Sequence, residues 1–208
     1  MDGVFMCRIL KTLLTCILLT ILCWSASLFS DRKKLNEGLI RFHVVANSNS
    51  VEDQSVKEMV RDAVLNSMRN DLESIRDVQE AKQYLKLNLP KIEAIANQTL
   101  KSMGFENRVK ATLCKEGFDT RHYDTFSLPG GVYDSLRIVI GEGEGKNWWC
   151  VSFPCLCTPT TSEDFEASAV SAGFSEPLSK SLAGKSEYQI RFFLLDTIGQ
   201  LENMLFAG

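Results

Sequence analysis

The run GKNWWCVSFPCLC, Gly145 to Cys157, carries two adjacent tryptophans, three cysteines and one proline. Such a run could be a metal site, a redox site, a disulfide clamp or the apolar centre of a binding surface. Structural zinc needs four ligands, commonly as paired C-x2-C knuckles, and catalytic zinc needs about three with an open position. Cys150-x4-Cys155-x-Cys157 has no such pairing. A fourth ligand would have to come from Cys114 or His122. No H-E-x-x-H occurs, and no metal or other cofactor is implied.

Hydrolytic chemistry fares no better. A triad needs an activated nucleophile, a histidine and an orienting acid, and no G-x-S-x-G is present. His43 falls in a predicted strand beside Arg41, at a solvent-facing position. His122 stands between Arg121 and Tyr123 with nothing to activate it. The Asp-Thr pairs at 119, 124 and 196 lack the following glycine of an aspartic-protease loop. GEGEG, from Gly141, opens no helix, and Glu142 and Glu144 would repel phosphate, so it reads as a hairpin turn. No catalytic residue is predicted.

Partner binding survives this elimination. Strand alternation turns one of Trp148 and Trp149 into the core and the other outward. An outward tryptophan is a typical anchor for a partner. A net charge of −3 gives no reason to bind nucleic acid.

The elements that must position these residues follow. The first thirty residues combine Arg8 and Lys11 with an uncharged run from Thr12 to Ser30 that includes Ser25-Ala26-Ser27. This reads as a secretory signal peptide. An uncleaved anchor is the competing reading, with membrane contact through residues 12–30. Either way the domain works outside the cytoplasm, where disulfides persist. Loss of residues 1–27 leaves Cys114, Cys150, Cys155 and Cys157, which allow three pairings. Cys150 with Cys157 could close a turn around Pro154, leaving Cys155 for Cys114.

Period two predicts a strand over LIRFHVVA, with Ile40, Phe42, Val44 and Ala46 on the buried face and Arg41 and His43 opposite. Ser50 and Asp53 predict a helix start, and Val56, Val60 and Val64 its apolar stripe. Asp77 and Glu80 start a second helix. Pro90 predicts a break at Asn88-Leu89 and a third helix ending at Gly104. Strands follow over VKATLCK, VYDSLRIVI and NWWCVSF. Residues 158–186, rich in Ser, Thr, Ala and Glu, read as a mobile linker. The segment 187–206 reads as a strand to Phe193 and a short helix carrying Ile198, Leu201 and Leu205, packing back on a domain of residues 39–157. The order predicts an α+β fold: a mainly antiparallel sheet with helices on one face.

Three segments resemble a known family. RFHVVANSNSVEDQSVKEMVRDAVL, LPGGVYDSLRIVIGEGEGKNWWCVSFPCLC and the tail IRFFLLD are similar to stage II sporulation protein R of endospore-forming bacteria, from about Leu39 to Leu205. The run N-W-W-C…F-P…L-C after L-P-x-G-x-Y carries most of the likeness. The family tends to have a second proline where this chain has Cys155; Cys150 and Cys157 fit its pattern. The resemblance implies a non-enzymatic signal exported across the forespore membrane into the gap between forespore and mother cell. There such a protein activates a membrane-embedded aspartic protease, which processes the precursor of sigma E. Asn147, Trp148 and Trp149 are the first candidates for partner contact, with Arg41, His43 and Asn47 behind them. An exported hydrolase acting on cell wall or peptide is the alternative.

Overall fold

The computed structural model describes residues 2–156, 161–185 and 188–207. Helix α1 spans Asp2–Gly38, and strand β1, Ile40–Val45, follows directly. Helices α2, Val51–Ser74, and α3, Val78–Ser102, lead to β2, Val109–Phe118. A short hairpin, β3 Arg121–His122 and β4 Ser127–Leu128, precedes β5, Gly131–Ile140, and β6, Asn147–Phe153. The chain ends in α4, Ser162–Ser171, α5, Glu176–Leu182, and α6, Gln189–Ala207.

The main sheet has the order β2-β5-β1-β6. β1 runs parallel to β5 and antiparallel to β6, and β5 runs antiparallel to β2. The α+β class is as expected, and the sheet is mixed. Its parallel pair requires a crossover, which α2 and α3 supply.

Local chemistry starts the helices where the sequence indicates. Ser50 Oγ accepts from Asp53 N at 3.1 Å, and Asp77 Oδ1 accepts from Gln79 N and Glu80 N at 2.8 and 3.1 Å. Each capping oxygen satisfies amides that the first turn leaves free. Gly104, at φ +78°, ends α3, and Phe105 N reaches back to Leu100 O. The predicted break at Asn88-Leu89 does not occur; α3 runs through Pro90. Proline removes one helical hydrogen bond. Leu85 and Ile92, one on either side, are both fully buried against the same sheet, and that packing outweighs the loss.

Two cores flank the sheet. On one face Phe42, Val44, Leu136 and Ile138 pack against Val60, Val64, Leu85 and Ile92 of α2 and α3. On the other, Phe118, Tyr133 and Val151 pack against Leu28 and Leu35 of α1, Phe165 of α4, Leu178 of α5 and Leu195 of α6. Helices therefore cover both faces, where the sequence indicates one. The segment expected to be a mobile linker contains α4 and α5. Thr161 and Asp164 form a reciprocal capping box at the start of α4. Phe165, Ala169, Leu178 and Leu182 are wholly buried, which orders a stretch of low periodicity. The strand expected up to Phe193 is the start of α6 instead.

No structural break occurs at residue 30. α1 is long and apolar enough to cross a membrane, as a signal sequence near an N-terminus also is. Beyond Ser27, however, Leu28, Asp31, Arg32 and Leu35 turn one helical face into the second core. Leu35→Ala should lower the unfolding free energy in detergent by roughly 2–5 kcal/mol, as deletion of a buried leucine does. Leu18→Ala, in the exposed part, should change it by less than about 0.5 kcal/mol. Urea denaturation followed by tryptophan fluorescence measures both, and equal effects would contradict the placement of Leu35.

Candidate functional site

Asn47, Asn147 and Trp148 gather at one end of the sheet, and Trp149, His43 and Arg41 lie progressively further along it. Val45 of β1 pairs with Asn147 of β6, so the loop after β1 and the loop before β6 lie side by side. They are laced together. Gly145 N donates to Ala46 O at 2.9 Å, Glu144 N to Asn47 O at 3.1 Å and Lys146 N to Asn49 Oδ1 at 2.9 Å. Asn47 is the hub: its Oδ1 accepts from Glu142 N at 3.1 Å, and its Nδ2 donates to Asp53 Oδ2 at 2.9 Å. Hydrogen bonds from Ser48 and Asn47 hold the Asp53 carboxyl below its ordinary value.

The close approach explains the glycines of GEGEG. A Cβ on Gly145 would lie 2.2 Å from Ser48 O, and one on Gly141, at φ +59°, 2.2 Å from Asn47 Oδ1. The motif is a tight turn but not the hairpin its sequence suggests: β5 and β6 flank β1 without pairing, and the glycines fit the turn against the loop after β1.

Trp148 and Trp149 are both half-buried, on opposite faces. Trp148 meets Phe42 edge-on at 5.8 Å, with the Arg61 guanidinium 4.9 Å from its ring. Trp149 stacks on His43 at 4.6 Å and 4°, meets Phe118 edge-on at 5.2 Å, and has Arg121 4.7 Å from its ring. The expectation of one core ring and one outward ring gives way to two rings, each core on one side and rimmed by an arginine. Asn147 is exposed at the strand tip.

Arg41 and His43 occupy a different environment from the solvent-facing one expected. Arg41 is fully buried and His43 only 4% exposed, because β1 is central and covered on both sides. Arg41 Nη2 donates to Tyr123 Oη at 3.2 Å, and its guanidinium lies over Phe118 and Tyr133 at 4.4 and 5.3 Å. Its Nε and Nη1 have no acceptor among the described residues. Burial pushes its pKa down, though the guanidinium stays charged. His43 Nε2 lies 2.8 Å from Glu116 Oε2, and Arg137 Nη1 donates to Glu116 Oε1 at 3.3 Å. Burial alone would raise the Glu116 carboxyl; His43, Ser135 and Arg137 outweigh it and hold it below its ordinary value.

Sequence reasoning missed Glu116, Phe118, Arg121, Tyr123 and Tyr133. The one available signal was the period of β2. Continued past Cys114, it carries Glu116 onto the face of His43.

Cys150 is disulfide-bonded. The expected pairing partner, Cys157, lies outside the described residues. Cys114 and Cys155 are both free, so the bridge between them does not form. Burial, with Glu73 nearby, pushes the Cys155 thiol up to about 11. Among the described residues no cluster of three His, Cys, Asp or Glu side chains could hold a metal ion.

The family model for stage II sporulation protein R matches residues 36–163. The chain belongs to this family. It is 37% identical over 118 residues to stage II sporulation protein R of Bacillus subtilis (strain 168), across 57% of this chain and 53% of that protein. The chain thus spans about half the length of that relative. No solved structure matches it. The family match takes in the whole of the laced tip, the sheet and α2 and α3, and it ends as α4 begins.

Two predictions follow from this geometry. Cys114 and Cys155 should appear as free thiols in non-reducing peptide mapping, and Cys155 should alkylate slowly at neutral pH because its thiol stays protonated. A Cys114–Cys155 peptide would contradict the structure. The second concerns Glu116, whose folded pKa lies below its ordinary value of 4.5. The unfolded chain then binds that proton more tightly, so the stabilisation is complete above about pH 5 and fades as pH falls through the folded value. The stability gap between wild type and Glu116→Gln, measured by denaturant titration, should therefore narrow as pH drops from about 6 to about 3. A gap that widened would reverse the sign of the argument.

Proposed function

We propose that this family member is a sporulation signal that activates a membrane-embedded aspartic protease, leading to processing of the sigma-E precursor in the mother cell. It acts in the gap between forespore and mother-cell membranes, after export or while held by α1. Membership of the stage II sporulation protein R family carries this reading. The apolar α1 supports delivery to, or across, a membrane.

The laced tip is the proposed contact surface. Asn147 and the rims of Trp148 and Trp149 present apolar area at a fixed position, held by Asn47 and by the stacked His43. Preorganised aromatic rims suit a binding anchor, because few rotamers are lost on docking. Arg41 and His43 are too deeply buried to touch a partner and act as the support behind Trp149.

Co-expression of the full chain with the protease and the sigma precursor tests this. Wild type should yield processed precursor. Asn147→Arg, at an exposed tip position, should cut processing about ten-fold or more while leaving thermal unfolding unchanged. Unprocessed precursor with wild type would reject the activation. Full processing with both Asn147→Arg and Trp148→Ala would move the contact surface elsewhere.

A further inference from the structure

Helix α6 turns its charges inward. Its three charged residues, Arg191, Asp196 and Glu202, all turn toward the protein. Arg191 pairs with Asp31 and donates to Ser27 Oγ at 3.2 Å. Asp196 accepts from Thr120 Oγ1 and, at 2.7 Å, from Gly130 N. Glu202 accepts from Arg32 at 2.7 Å and Asn36 at 2.9 Å. Asn203 donates to Phe118 O at 2.7 Å. Gly199 lets the helix approach so closely that a Cβ there would lie 1.8 Å from Gly130 O.

The outward side is apolar. Ile190, Phe193, Leu201 and Met204 are 69, 66, 56 and 71% exposed and, at 3.6 residues per turn, form one stripe. Thr197, also on the stripe, turns its hydroxyl back onto Phe193 O. Leu205 extends the stripe at 84% exposure. A surface helix in water has the opposite polarity. A helix lying in the boundary between headgroups and acyl chains has this one.

We propose that α6 lies against the lipid of the membrane that α1 enters. Continuity of surface identifies the occupant. Arg191 fastens the start of α6 beside Ser27 and Asp31, where the exposed apolar length of α1 meets the domain. Trp24 and Phe29 are themselves 43 and 69% exposed there. Lipid around α1 would meet the start of α6, where Ile190 and Phe193 are exposed. Lys33 and Lys34, exposed on the next turn of α1, stand at the level of anionic headgroups. About three turns of α6 separate Arg191 from Glu202, but the α1 residues they pair with, Asp31 and Arg32, are consecutive. Thus α6 crosses α1 obliquely and lies toward the membrane plane. The inner side, where Leu195 enters the second core among these charged anchors, becomes the seal between lipid and that core. This inference stands independently of protease activation.

The test uses the full chain in vesicles of phosphatidylethanolamine and phosphatidylglycerol. A benzophenone amino acid replaces Phe193, Leu201 or Met204 in turn, and Leu87, 72% exposed on α3, as control. Irradiation should give phospholipid adducts at all three α6 positions, at least about five-fold above Leu87, since only groups within contact reach of acyl chains react. Yields equal to that at Leu87 would overturn the proposal. So would crosslinks to a second copy of the chain in place of lipid, which would make the stripe a dimer face.

Discussion

Strand β1 is buried on both faces, and the rest of the molecule follows from how that burial is met. One face is ordinary: Ile40, Phe42 and Val44 enter a core closed by α2 and α3. The other carries Arg41 and His43, which water would solvate on an edge or one-sided sheet. Here they are enclosed, and each needs compensation. Tyr123, Phe118 and Tyr133 surround Arg41, while Glu116 and Trp149 engage His43. The enclosure is completed by α1, α4, α5 and α6.

This arrangement ties the candidate contact surface to the interior. Trp149 is at once the ring stacked on His43 and part of the tip that Asn47 and the glycine turn hold rigid. Its orientation depends on the polar row of β1, which depends in turn on Glu116 at the far side of the sheet. The same second face also takes in the end of α1. Tip, core and the end of α1 are thereby packed together, so a contact at the tip is made at a fixed orientation to that helix.

Much of the fold was legible in the residues. Ser50, Asp77 and Gly104 marked helix ends because capping is a local hydrogen-bonding problem. Period two marked β1, β2 and β5 because each alternates over enough residues, and β6 was marked as a short apolar run stopped by Pro154. What stayed hidden was long-range. Nothing local to Arg41 or His43 says that a second layer will cover them, so alternation placed them in water. Phe165, Ala169, Leu178 and Leu182 are widely spaced in a Ser-rich stretch, and their burial depends on partners elsewhere in the chain, among them Phe126, stacked on Phe165, and the α1 residues of the second core. IRFFLL has strong strand propensity, yet it becomes helical because Arg191, Leu195 and Glu202 must all face one surface. The tip was legible as a motif, and its loops as turns, but the lacing of one loop to the other was not.

The central claim is that the second layer is an integral part of the domain on which β1 depends. Hydrogen–deuterium exchange of the full chain tests it most directly, resolved by peptide. The account predicts that amides of α4 and the middle of α6 are protected for as long as those of Ile40–Val45, and open together with them in mild denaturant. Exchange of α4–α6 within seconds, while β1 stays protected for hours, would show that β1 is buried without them and would contradict it.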